Sequence, residues 1–126
     1  MADSIQSHRD LKVWQKSMDL VVECYRQTDQ FPKSELYGLT SQIRRAAVSI
    51  PSNIAEGKGR RSTGSYLYSL NISYGSLLEV ETQIEIAARL NYLTDASSKA
   101  LLARTAEVGK MINGLISALE RQRSGS

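Results

Sequence analysis

The stretch Tyr37–Arg61, YGLTSQIRRAAVSIPSNIAEGKGRR, carries a helical pattern on both sides of an internal proline. Leu36, Leu39, Ile43, Ala46/Ala47, Ile50 and Ile54 step by three and four, the spacing of one face of an α-helix. Pro51 sits within that face, where it lacks a backbone donor and crowds the carbonyl of Ala47. Because the stripe keeps its phase across the proline, the pattern predicts a kink rather than a break. Ala46, Ala47, Ser49 and Ser52 leave little bulk around it, so a second helix has room to approach closely. Gly57 and Gly59 are the expected stop. Asn53 and Glu56 follow the proline, where a polar side chain is expected to satisfy the carbonyl that Pro51 frees or to fix the next loop.

The rest of the chain repeats the helical period. Asp10 reads as the N-cap of a first helix whose stripe is Leu11, Trp14, Met18, Val21, Val22 and Tyr25, closed by Phe31-Pro32. Ser62 or Thr63 opens a third helix with one stripe through Leu67, Leu70, Tyr74, Leu77, Leu78, Ile84 and Ala88. A second, thinner stripe holds Ile72, Val80 and Ala87, so this helix is expected to bury more than one face. Asn91 suits a left-handed C-terminal cap, and Thr94 an N-cap for a fourth helix carrying Leu101, Thr105, Val108, Ile112, Leu115, Ile116 and Leu119. The expected helices cover approximately 11–28, 34–58, 63–90 and 95–121, with residues 1–9 frayed or extended and the tail 122–126 flexible. No strand pattern competes. The expectation is all-α: one domain, 1–126, folded as an antiparallel up-down-up-down four-helix bundle with a proline kink in helix 2.

Composition narrows the chemistry. A ferritin-like metal site takes Glu-x-x-His motifs on two helices, and this chain has one histidine, His8, without them. No zinc site or cofactor motif is expected either, with a single cysteine and glycines that follow no predicted strand. Cys24 lies beside Glu23, whose charge disfavours the thiolate, so it reads as structural. The polar N-terminus and the lack of a long apolar run make the cytoplasm the expected location and exclude a membrane-spanning helix.

Two charged groups remain. Glu79, Glu81 and Glu85 form the one local carboxylate cluster. Glu85 is placed to pair with Arg89, and Glu79 or Glu81 to meet Arg44 or Arg45 across helices. Between Gln42 and Gly64, Arg44, Arg45, Lys58, Arg60 and Arg61 face one acid, Glu56, a local balance of +4. The cations at 58–61 complement the end of a helix dipole, and they also suit a phosphate-binding patch of guanidinium forks. For Arg44 and Arg45, structural salt bridging is the preferred reading.

The segment YGLTSQIRRAAVSIPSNIAEGKGR closely resembles the central motif of the four helix bundle protein family, the proteins encoded in 23S rRNA intervening sequences of bacteria. LKVWQKSMDLVVECY, FPKSELYGL and YGSLLEVETQIEIAARLNYL match as well, so the resemblance spans nearly the whole chain; Asn91 stands where the family would have glycine. The resemblance implies an antiparallel four-helix subunit in a ring-like homopentamer. It also implies similarity to the accessory protein of diversity-generating retroelements, a pentameric barrel that binds a reverse transcriptase and nucleic acid. Neither likeness supplies catalytic residues.

The functional expectation is therefore a non-enzymatic, oligomeric protein that binds nucleic acid, RNA favoured over DNA. Lys58, Arg60 and Arg61 are the foremost phosphate contacts, with Arg44 and Arg45 behind them. The alternatives are a pentameric protein–protein interaction scaffold, with a partner such as a reverse transcriptase by analogy, and an enzyme built on Glu79 and Glu81.

Overall fold

Within residues 7–125, which the computed structural model describes, the chain forms α1 (Lys12–Thr28), α2 (Leu39–Lys58), α3 (Thr63–Arg89) and α4 (Asp95–Gly125). The expected state of residues 1–6 lies outside the described part. From Ser7 onward the chain is ordered differently from expectation: His8–Asp10 is a 3-10 turn capped by Ser7. Asp10 closes that turn by accepting from the Ser7 N–H at 3.1 Å, so it is not the cap of α1. Leu11, in extended conformation, takes that position.

The start of α2 is also later than the apolar stripe suggests. Lys33–Glu35 forms a separate 3-10 turn, and Gly38, at φ −113° and ψ −114°, breaks the run before Leu39. Leu36 is thereby left outside the helix and half exposed rather than in the core. Glu35 serves α2 from a distance: its Oε1 accepts from the Leu39 N–H at 3.0 Å, and its Oε2 accepts from the Tyr92 hydroxyl at 2.9 Å. The Tyr92 ring rests on Phe31, which joins the α1–α2 loop to the α3–α4 loop.

The remaining boundaries follow local chemistry. Ser62 caps α3, accepting from the Ser65 N–H at 3.1 Å, and Thr94 caps α4, accepting from the Ser97 N–H at 3.0 Å. Such caps contribute about 0.5–2 kcal/mol each. Asn91 has φ 63°, and the N–H groups of Asn91 and Tyr92 donate to Ala88 and Ala87, a Schellman ending. The last helix runs on to Gly125, past the expected end at Arg121, so residues 122–125 are helical.

Each helix packs on its neighbours in sequence, and α1 also packs on α4. The largest fully buried side chains, among them Leu20, Ile43, Ile50, Leu70, Ile84 and Ile112, fill the centre. Burial of each contributes about 1.5–3 kcal/mol. The α2–α3 approach is made by small residues. The Ser73 hydroxyl donates to the Ile50 carbonyl at 2.9 Å, and the Ser76 hydroxyl to that of Ser49 at 2.8 Å. A Cβ added to Gly57 would stand 2.8 Å from the Tyr66 ring and 3.0 Å from Ser69 Cβ. Ser52, by contrast, is exposed, and Gly57 lies inside α2 instead of ending it.

α2 continues through the buried Pro51 without interruption. The Asn53 amide donates to the carbonyl and hydroxyl of Ser49 at 2.9 and 3.0 Å, not to the Ala47 carbonyl that the proline frees.

The apolar stripe read for the first helix divides: Leu11, Trp14 and Val21 pack against the core. Val13, Ser17, Leu20, Cys24 and Thr28 face the core, whereas Met18, Val22 and Tyr25 are exposed at 39, 46 and 42%. Two adjacent faces of this helix are apolar, and the bundle buries the one with the smaller side chains fully while taking in only Trp14 and Val21 of the other in part. The α3 stripes divide similarly: Val80 and Ala87 are core, and Ile72 and Leu78 stand out on the surface, as does Ile86, which belongs to neither stripe.

Candidate nucleic-acid interface

Lys58 is the last residue of α2, and Arg60 and Arg61 occupy the turn before the Ser62 cap. Gly57 lets this end of α2 close onto Tyr66 and Ser69 of α3, so the turn is short and its cations are held together. Arg60 pairs with Glu56 one helical turn back. Arg61 is exposed and Lys58 half-buried, and neither makes an ion pair among the described residues. α4 adds a cation that sequence reading assigned to a flexible tail. An Arg123 guanidinium nitrogen lies 3.5 Å from the position a Cβ on Gly64 would take. Only the helical continuation to Gly125 brings it there, and the basic run RQR was the one signal of it.

Arg44 and Arg45 do not join that turn. They precede Lys58 by about 20 Å of helix axis at 1.5 Å per residue. Arg44 braces α2 against the end of α1: its Nε donates to Thr28 Oγ1 at 2.9 Å, and its guanidinium lies 4.6 Å over the Tyr25 ring. Asp29 stands 3.9 Å from it. Arg45 is exposed and lines a separate cleft between α2 and α3, of about 320 Å³, together with Gln42, Ser49, Ser76, Glu79 and Gln83.

The acidic cluster does not converge. Glu79 faces that cleft, whereas Glu81 turns toward α4, where the Thr105 hydroxyl lies 3.1 Å from its Oε2. Among the described residues, Glu85 and Arg89 form no ion pair, nor do Glu79 or Glu81 with Arg44 or Arg45. Burial, with a smaller contribution from the Glu23 charge, pushes the Cys24 thiol up to about 12, so it stays neutral and unreactive at physiological pH. His8 meets Trp14 edge-on, with ring centroids 5.1 Å apart. No group of three or more His, Cys, Asp or Glu side chains is placed to hold a metal among the described residues. No helix among them is long and apolar enough to cross a membrane.

A family model described as 23S rRNA-intervening sequence protein matches residues 9–114. A search of curated proteins gave no match. Among solved structures, the chain is similar to a protein with unknown function from the S23 ribosomal protein family of Bacteroides thetaiotaomicron. The two are 24% identical and superpose with a TM-score of 0.75, over 82% of this chain and 97% of the other. That likeness is one of fold.

Proposed function

Because the chain belongs to the 23S rRNA-intervening sequence protein family, we propose that it is a non-enzymatic, oligomeric nucleic-acid-binding protein with a preference for RNA. The observation that carries this reading is the basic end of the bundle, where Lys58, Arg60 and Arg61 share one turn and Arg123 reaches α3 beside it. Glu56, already engaged by Arg60, is the acid nearest in sequence to the three cations of the turn. Guanidinium and ammonium groups so arranged grip phosphate oxygens without reading base sequence.

Oligomerisation is supported by the apolar side chains left outside the core, Met18, Val22 and Tyr25 on α1 and Ile72, Leu78 and Ile86 on α3. These lie on different helices, as a head-to-tail ring requires. In the five-membered ring that the family resemblance implies, the formal charge of +3 per chain becomes +15, and weak phosphate contacts gain through effective concentration. The same apolar faces favour a second reading, a scaffold that docks a protein partner without nucleic acid.

Fluorescence-anisotropy titration of nuclease-treated protein against a structured RNA and a matched DNA duplex, at several salt concentrations, separates the two. Binding that weakens linearly in log salt is expected, tighter for RNA. The triple variant Lys58→Gln, Arg60→Gln, Arg61→Gln should weaken it and flatten the slope by roughly 0.7–0.9 for each phosphate no longer neutralised. Undiminished binding by that variant removes the assignment, and no binding at low salt leaves the scaffold.

A further inference from the structure

Two stretches of the bundle carry no charged side chain, and they stand at one level. Ala46–Ala55 of α2 and Ser62–Leu78, which caps and opens α3, contain neither an acid nor a base. The Ser73 hydroxyl donates to the Ile50 carbonyl at 2.9 Å, and that of Ser76 to Ser49 at 2.8 Å, so the turn Ile72–Ser76 lies opposite Ser49–Ile50. These contacts account for the inner sides of the two stretches and not for the outer ones. There Tyr68 is exposed at 70%, Ile72 at 39% and Val48 at 41%. The solvated face of a helix is ordinarily charged or polar, whereas the centre of a protein–protein contact is depleted of charge and enriched in aromatic side chains.

The two outer sides also differ in shape. Between α1 and α2 runs an apolar groove of about 400 Å³, with the half-exposed Met18 and Val48 as its rims and Trp14, Pro51 and Ala55 deeper within it. On α3, Tyr68 and Ile72 form a ridge that falls away at Gly75, where an added Cβ would meet no atom within 4 Å. Glycine weakens the interior of a helix. Gly57 offsets that by close packing under the Tyr66 ring, and Gly75 has no such neighbour inside the subunit. Because α1 and α3 each pack on α2 and α4 but not on each other, the groove and the ridge face different ways.

We propose that the Tyr68–Gly75 ridge of α3 packs into the α1–α2 groove of a second copy of this chain. Ile72 enters between Met18 and Val48, and Gly75 leaves room for the rim beside it. The occupant is a second copy because ridge and groove are level in one subunit. Rotation about an axis along the helices keeps every residue at its level, and so carries the ridge of one copy onto the groove of the next. Since the two surfaces are different, the contact is head-to-tail. The same rotation leaves the turns bearing Lys58, Arg60 and Arg61 at one end of the assembly. The seam rests on the oligomeric part of the function proposed above and is independent of nucleic-acid binding.

Cross-linking and sedimentation of the full chain test it. The double variant Val48→Cys, Ile72→Cys, oxidised with copper phenanthroline, should give a ladder of cross-linked chains on non-reducing electrophoresis. Each single variant should run as one chain, because the native Cys24 is buried. Gly75→Trp meets open space within the subunit, so it should keep the helical circular dichroism and sediment as the 14.0 kDa chain. Cross-linked dimers from Ile72→Cys alone would mean that α3 meets α3 across a two-fold axis, which overturns the proposal. A native oligomer whose mass survives Gly75→Trp, and whose double variant gives no ladder, overturns it as well but leaves the oligomeric reading standing. A native protein that sediments as a single chain removes both.

Discussion

Arg44 and Arg45 are adjacent in the chain, and the helix turns them to different faces. One braces α1 through Thr28 and the Tyr25 ring, and the other opens onto the α2–α3 cleft. A composition count of basic residues treats them alike, because helical rotation and the neighbours it selects are absent from it. Glu35 shows the same limit. The expected helix 34–58 would make it a helix residue, yet it ends a 3-10 turn ahead of α2, caps that helix at Leu39 and holds Tyr92 from the opposite loop. The Leu39 N–H, and then the Tyr92 hydroxyl, keep its carboxyl below the usual glutamate range. A depressed folded-state value stabilises the fold above the unfolded-state pKa, near 4.3, and is lost as pH falls through the folded-state value. The urea midpoint of the native protein should therefore exceed that of Glu35→Gln at pH 7, and the gap should close below about pH 4. A gap that persists unchanged at pH 3 would assign the effect to side-chain shape.

The elements themselves were largely legible. The helical period gave four helices, and the caps at Ser62, Asn91 and Thr94 stand where turn chemistry placed them. Periodicity failed where a helix is apolar on two faces, as α1 is, because both phases satisfy it. Packing then decides, and Leu20 and Cys24 went inward while Met18 and Tyr25 did not. Closeness of approach decides in the same way between α2 and α3. Gly57 reads as a helix stop from sequence, but it sits in the helix under the Tyr66 ring. Gly57→Val should destabilise the fold by about 1–3 kcal/mol by urea denaturation, because the ring and Ser69 must move aside. A neutral outcome would mean that α2 and α3 separate easily at this end.

For the whole molecule, the apolar side chains that the bundle leaves out are the basis of the assembly proposal. Leu78→Glu with Ile86→Glu changes only half-exposed positions, so the helical content should be retained. The sedimentation mass should fall from that of an oligomer to that of the 14.0 kDa chain. An unchanged mass would place the subunit contact elsewhere, and a native protein that already sediments as a single chain would remove the ring.

Sequence alone determined the class of fold, because apolar residues at helical spacing must be buried together and only helices satisfy that spacing. It also drew attention to Lys58, Arg60 and Arg61, since consecutive charges stay together in any fold. Which of two apolar faces became core, where Arg123 arrives, and that Arg45, Glu79 and Gln83 line one cleft were decided by tertiary structure. These are relations between residues far apart in the chain, and they depend on how closely two helices approach and at what rotation.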